Sequence, residues 1–202
     1  TTKKVGKIYA RFDENGAYQI TASYCMVNGR KMQVQYRTDP QVSDEILLAA
    51  ILYAEAGGER QTALFATLNQ ETIRVYKGQL AVGYTILNRM ASRSYPSTVK
   101  EIVYAQYQFE PARTGVLTAL LKDQTRISTE CRNTAKLLLK DYKAAQDSVK
   151  EFPRSEFTWC NFWALSYARN YSDFFSVYKK NEYQIIGNQV FFNYTKTIHS
   201  QS

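Results

Sequence analysis

With 202 residues, 45% of them hydrophobic and 22% charged, the chain can form one domain with a proper core plus a small addition. It holds no run near the roughly 20 apolar residues of a membrane span, and its net charge of +8 suits a polyanionic setting such as nucleic acid, an anionic membrane surface or a cell wall carrying anionic polymers. The one histidine, His199, lies in a polar tail, and Cys25, Cys131 and Cys160 lack CxxC spacing. That argues against serine or cysteine triads, His-ligated zinc and structural zinc.

A plainly solvated surface accounts for the charge equally well, because no dense Lys/Arg run occurs and no basic stripe interleaved with aromatics points to nucleic acid. No Gly-rich phosphate loop is present. What remains is carboxylate chemistry with neither metal nor cofactor, and glycosidic cleavage is its leading member. The opening "TTKKVGK" has no signal-peptide pattern, so a secreted protein is expected to have lost its leader upstream of this point.

In chain order, "KIYARF", "AYQITASYCMV" and "KMQVQYR" alternate polar with aromatic or β-branched residues. They are separated by "DENG" and "NG", which predicts a three-stranded meander over residues 1–40, too small to be stable alone. From residue 41 to 202 the pattern is mainly helical. Ser43 is placed to cap a first helix, with Asp44 and Glu45 in its first turn. Thr62–Tyr76 reads as a second helix with Phe65, Leu68, Thr72 and Val75 on one side, and "GQLAVGYTILNRM" as a buried third. Thr98 and Glu101 make a capping box. A long helix from about Ser128 carries Cys131, Ala135, Leu138, Tyr142 and Ala145 on one stripe and ends before the break at Pro153. "YQIIGNQVFF" is a hairpin turning at Gly187-Asn188. Helices first and a hairpin last, without βαβ alternation, define an α+β fold.

Within the first helix, Ile46 to Ala54 carries no charge, so the segment is buried nearly all round and Glu55 is the first acid after it. Gly57 and Gly58 stop the helix, which puts Glu55 at the negative end of the macrodipole. Burial and dipole both disfavour its ionised form, as befits an acid that keeps its proton for use. The ordinary alternative is a buried salt bridge to Arg89.

"YAEAGGE", "GQLAVGYTILNRMASRSYPSTVKEIVYAQYQF", "NFWAL" and "IGNQVFF" follow one another as the motifs of the SleB/CwlJ-type cell wall hydrolases do. The chain resembles that family from roughly Asp44 to Phe192. The resemblance implies a lysozyme-like, mainly helical catalytic domain with a C-terminal hairpin, acting on peptidoglycan glycan strands, the spore cortex included. It implies a lytic transglycosylase in which a single Glu protonates the glycosidic oxygen and then takes the proton of the sugar's 6-hydroxyl, leaving a 1,6-anhydro-muramic end. Glu55 falls on the catalytic position. Glu59, Asn88, Arg89, Gln108, Phe109, Asn161, Phe162 and Asn188 fall in the blocks that form the groove. Glu59 is the obvious rival or second carboxylate, though two glycines before it and Arg60 after it favour a solvated loop; for Asn88 and Arg89 the ordinary alternative is helix capping, and for the aromatics core packing.

Two departures stand out. "RQTALFATLNQETIRVYK" intervenes between Glu59 and Gly78, read as an extra helix beside the cleft, and Gln189 stands where relatives often place histidine. A secreted or wall- or spore-associated location follows from the resemblance, and an extracellular setting suggests a Cys131–Cys160 disulfide. The competing functions are a hydrolytic muramidase, which needs water and usually a second carboxylate, and a non-catalytic peptidoglycan-binding module independent of Glu55.

Overall fold

A computed structural model describes residues 39–60, 63–147 and 157–200, with the side chains of 146 and 147 excepted, together with the backbone of four strands before residue 35. Those strands, β1 (Thr2–Val5), β2 (Ile8–Phe12), β3 (Tyr18–Val27) and β4 (Arg30–Val34), form an antiparallel meander in sequence order. The "TKKV" strand was not among the expected three; it pairs in register with β2 from Thr2↔Arg11 to Val5↔Ile8.

The fold is α+β, built around α1 (Asp44–Ala56). The Ser43 hydroxyl accepts from the Ile46 amide at 3.3 Å, capping α1 as expected. Leu47 to Leu52 are all buried, none more than 3% exposed, so the uncharged run is a central helix covered on every side. Burying each of its leucines and isoleucines contributes about 1.5–3 kcal/mol.

The expected helix at Thr62–Tyr76 is instead a hairpin, β5 (Ala63–Leu68) and β6 (Glu71–Tyr76). The segment satisfies both periodicities, but its Thr, Ile and Val residues favour the pleated surface, and Asn69 (φ 52) and Gln70 (φ 70) form a two-residue turn of the primed kind. Leu68, Ile73 and Val75 face inward and pack against Leu80 and Leu137. Phe65 lies on the opposite face, 69% exposed, where the helical reading had placed it beside Leu68.

Next comes α2 (Lys77–Ala91), then α3 (Val99–Val103), whose Thr98 cap accepts from the Glu101 amide at 3.2 Å. Two short helices, α4 (Glu110–Thr114) and α5 (Val116–Lys122), precede the long α6 (Thr129–Asp147). The predicted stripe of α6 is the packed one, with Cys131, Ala135 and Leu138 fully buried. Gly83 of α2 lets the two helices touch, since a Cβ there would stand 2.1 Å from Leu138 Cδ1. The proposed Cys131–Cys160 disulfide is absent: both thiols are free, Cys131 locked in the apolar face of α6 and Cys160 in the segment leading to the final sheet.

That sheet has the order β7-β9-β8, from β7 (Asn161–Ala164), β8 (Tyr183–Ile186) and β9 (Gln189–Phe192), with α7 (Leu165–Asn170) and α8 (Phe174–Val177) between β7 and β8. Gly187, at φ 57, makes the predicted turn between β8 and β9. Among the described residues no helix is long and apolar enough to cross a membrane.

Candidate active site

Glu55 occupies the last turn of α1, where Gly57 closes the helix by donating its amide to the Tyr53 carbonyl. Two glutamine side chains hold that end. Gln189 Nε2 of β9 donates to the Glu55 carbonyl at 3.3 Å, and buried Gln79 Nε2 of α2 donates to the Ala56 carbonyl at 3.4 Å. Gln189 thus holds the end of α1 through the Glu55 backbone. Burial, and after it the Glu110 carboxylate, push the Glu55 carboxyl up to about 7.

Among the described residues the Glu55 carboxyl has no hydrogen-bond or ion-pair partner, so the alternative of a bridge to Arg89 does not hold. Arg89 turns elsewhere. Its Nε donates to the Cys160 carbonyl at 2.5 Å and its Nη2 to Asn161 Oδ1 at 3.4 Å. The guanidinium lies over the rings of Tyr95 and Phe109, at 5.3 and 5.4 Å. Burial lowers its pKa from the usual value, and the carbonyls and ring faces stand in for a carboxylate partner.

A groove of about 380 Å³ opens beside these elements. Arg89, Gln108, Asn161 and Phe162 are among the residues that line it. Glu55 is not on that lining; Glu110, whose charge bears on it, is. The other predicted residues support the walls. Asn88 Nδ2 donates to the carbonyls of Phe157 and Trp159, both at 3.0 Å, fixing the segment that leads into β7. Phe109 is buried beneath Phe162, with centroids 6.0 Å apart. Glu59 lies against both Gly78 and Gly187, where an added Cβ would come within 2.9 Å of its Cγ and 1.8 Å of its Oε2 respectively. Asn188 accepts the Leu165 amide on its carbonyl at 2.8 Å.

Residues not foreseen from sequence are Glu110 and the aromatics Tyr107, Trp163, Tyr167 and Tyr194 of the groove wall. Glu110 follows directly on "QYQF", but nothing local in the sequence announces its nearness to Glu55. Among the described residues no cluster of three or more His, Cys, Asp or Glu side chains is arranged to hold a metal.

The groove is walled by aromatics and amides, and Glu110 on its lining is coupled electrostatically to the Glu55 carboxyl. The chain belongs to the cell wall hydrolase family, whose sequence model matches residues 74–192. It is an enzyme that cleaves peptidoglycan, which sets aside the non-catalytic binding module. The catalytic domain of the germination-specific lytic transglycosylase SleB from Bacillus anthracis aligns at 21% identity over 78% of this chain and 100% of that one, with a TM-score of 0.43. No curated protein matches the sequence. The family match begins at Arg74, within β6, so the place of Glu55 rests on the geometry described above.

Proposed function

We propose that the protein is a lytic transglycosylase that cuts the glycan strand of peptidoglycan, with Glu55 as its single general acid and base. The observation that carries this reading is the Glu55 carboxyl, unpartnered among the described residues at the end of a buried helix and raised to about 7. Near neutral pH it is part protonated and part ionised, which is the condition for one group to give and then take a proton. In the first step Glu55 gives its proton to the glycosidic oxygen as the bond from C1 to that oxygen breaks. The sugar's own 6-hydroxyl oxygen then bonds to C1, and its proton passes to the Glu55 carboxylate. The acid is regenerated, no water is consumed, and the product carries a 1,6-anhydro ring. Arg89, Gln108, Asn161 and Phe162 hold the strand through hydrogen bonds and ring stacking.

Glu110 favours a second reading, a hydrolytic muramidase in which it activates water as the second carboxylate. The two differ in product. Mass spectrometry of muropeptides released from sacculi and from spore cortex should find anhydro ends, one water lighter than the reducing ends of hydrolysis; reducing ends alone would overturn the transglycosylase reading. Glu55→Gln should lower turnover by about 100-fold or more. Action on the wall entails a secreted or wall-associated enzyme, and the charge of +8 fits retention among anionic wall polymers.

A further inference from the structure

Four aromatic side chains form a chain of ring contacts along one wall of the groove and beyond its end. Tyr194 meets Trp163 edge-on at 6.2 Å, Trp163 meets Tyr167 edge-on at 5.2 Å, and Tyr167 stacks on Tyr171 at 6.2 Å with 26° between the planes. The first three line the groove; Tyr171, at the C-terminal end of α7, lies outside it. Tyr194 is 56%, Tyr167 38% and Tyr171 57% exposed, so core packing does not explain them. Single exposed aromatics are ordinary on a protein surface, whereas a contiguous line of them marks a binding face.

The line is also rigid. Trp163 is braced from below by Phe174 at 5.9 Å and Phe192 at 5.3 Å. The Tyr167 hydroxyl is hydrogen-bonded to Ser200 Oγ at 3.0 Å, and Ser172 bridges Ser200 across the backbone. At the groove, Tyr107 is 81% exposed and held at φ 61, a left-handed conformation that a bulky residue adopts only where its surroundings impose it.

We infer that the Tyr194–Trp163–Tyr167–Tyr171 line is an extended subsite for the glycan strand, continuing the groove past its end and taking pyranose rings on its exposed faces. The inference rests on the glycan-cleaving reading above. Ring faces offer apolar area with little rotamer freedom to lose, and tyrosine hydroxyls offer hydrogen bonds at the rim, a combination that suits the C–H face and hydroxyl edge of a sugar. Continuity with the groove selects the occupant, because a strand lying in the groove and leaving past Tyr167 meets Tyr171 next.

The test uses the Glu55→Gln protein, so that binding is read apart from cleavage, with peptide-free glycan strands of graded length prepared by amidase digestion of sacculi. Adding Tyr171→Ala should weaken binding of long strands by about three- to tenfold and leave the shortest strands unaffected, while Tyr171→Phe should restore the affinity. Equal affinities for long strands would overturn the inference. So would an effect seen only on strands that keep their stem peptides, or a wild-type dimer that Tyr171→Ala dissociates without any loss of glycan binding. Residual cleavage by Glu55→Gln would fault the catalytic assignment instead, and the two failures are therefore separable.

Discussion

Glu55 gains nothing for the fold by being ionised, and that sets the sign of its effect on stability. Its carboxyl is raised from 4.5 to about 7, so the folded state holds a proton that the unfolded chain releases earlier. Its contribution is therefore fully present below pH 4.5 and is lost as pH climbs through about 7. Glu55→Gln removes the loss: wild type and variant should unfold alike at pH 4, and the variant should be more stable at pH 8, by on the order of 3 kcal/mol at most. Urea titrations at both pH values check this, and a variant less stable at pH 8 would return Glu55 to a structural role. Glu110→Gln withdraws the like charge, so the Glu55 carboxyl should fall and the alkaline limb of the kcat/KM profile should move to lower pH. Under the transglycosylase reading that variant keeps its turnover on the acid side; a muramidase relying on Glu110 loses turnover at every pH. The raised carboxyl of Glu55 was legible in the sequence because an uncharged run, an acid and two glycines are neighbours along the chain. Glu110 was not, because its bearing on Glu55 arises only when α4 folds against α1.

Elements whose sequence satisfied one periodicity were read correctly, and the one that satisfied two was not. The α1 run, the α6 stripe and the Gly187-Asn188 turn each had a single solution. Residues 62–76 had two, and the decision fell to Asn69 and Gln70, which carry no glycine to announce a primed turn. Gln70 bears the conformational cost of its φ of 70, which a glycine would not. Gln70→Gly should therefore stabilise the protein by about 0.5–1 kcal/mol and raise Tm by a few degrees, measurable by calorimetry. A helix across this segment would instead be weakened by glycine, so the sign of the shift tests the element itself. Replacing the whole hairpin by a flexible loop should destabilise the fold, because Leu80 and Leu137 would lose Leu68, Ile73 and Val75 as neighbours.

Across the whole molecule, helix and sheet are tied together at the end of α1, and the tie runs through a glycine far from it in sequence. Glu59 lies against Gly187 in the β8–β9 turn, and two residues on, Gln189 donates to the Glu55 carbonyl. The turn thus sets where α1 ends. A Cβ at Gly187 would fall 1.8 Å from Glu59 Oε2, and the backbone there, at φ 57, strains any β-carbon. The first conflict is with the far end of a flexible side chain, which can swing aside; the second cannot be relieved without moving the turn. Gly187→Ala should cost about 1–2 kcal/mol and, by shifting Gln189, lower turnover more than it raises KM. Gly187→Asn, better suited to a left-handed φ, should retain more of both stability and activity. Adding Glu59→Ala to Gly187→Ala separates the two conflicts: unrestored turnover identifies backbone strain as the cause, and full recovery would show that the Glu59 contact alone held the turn in place.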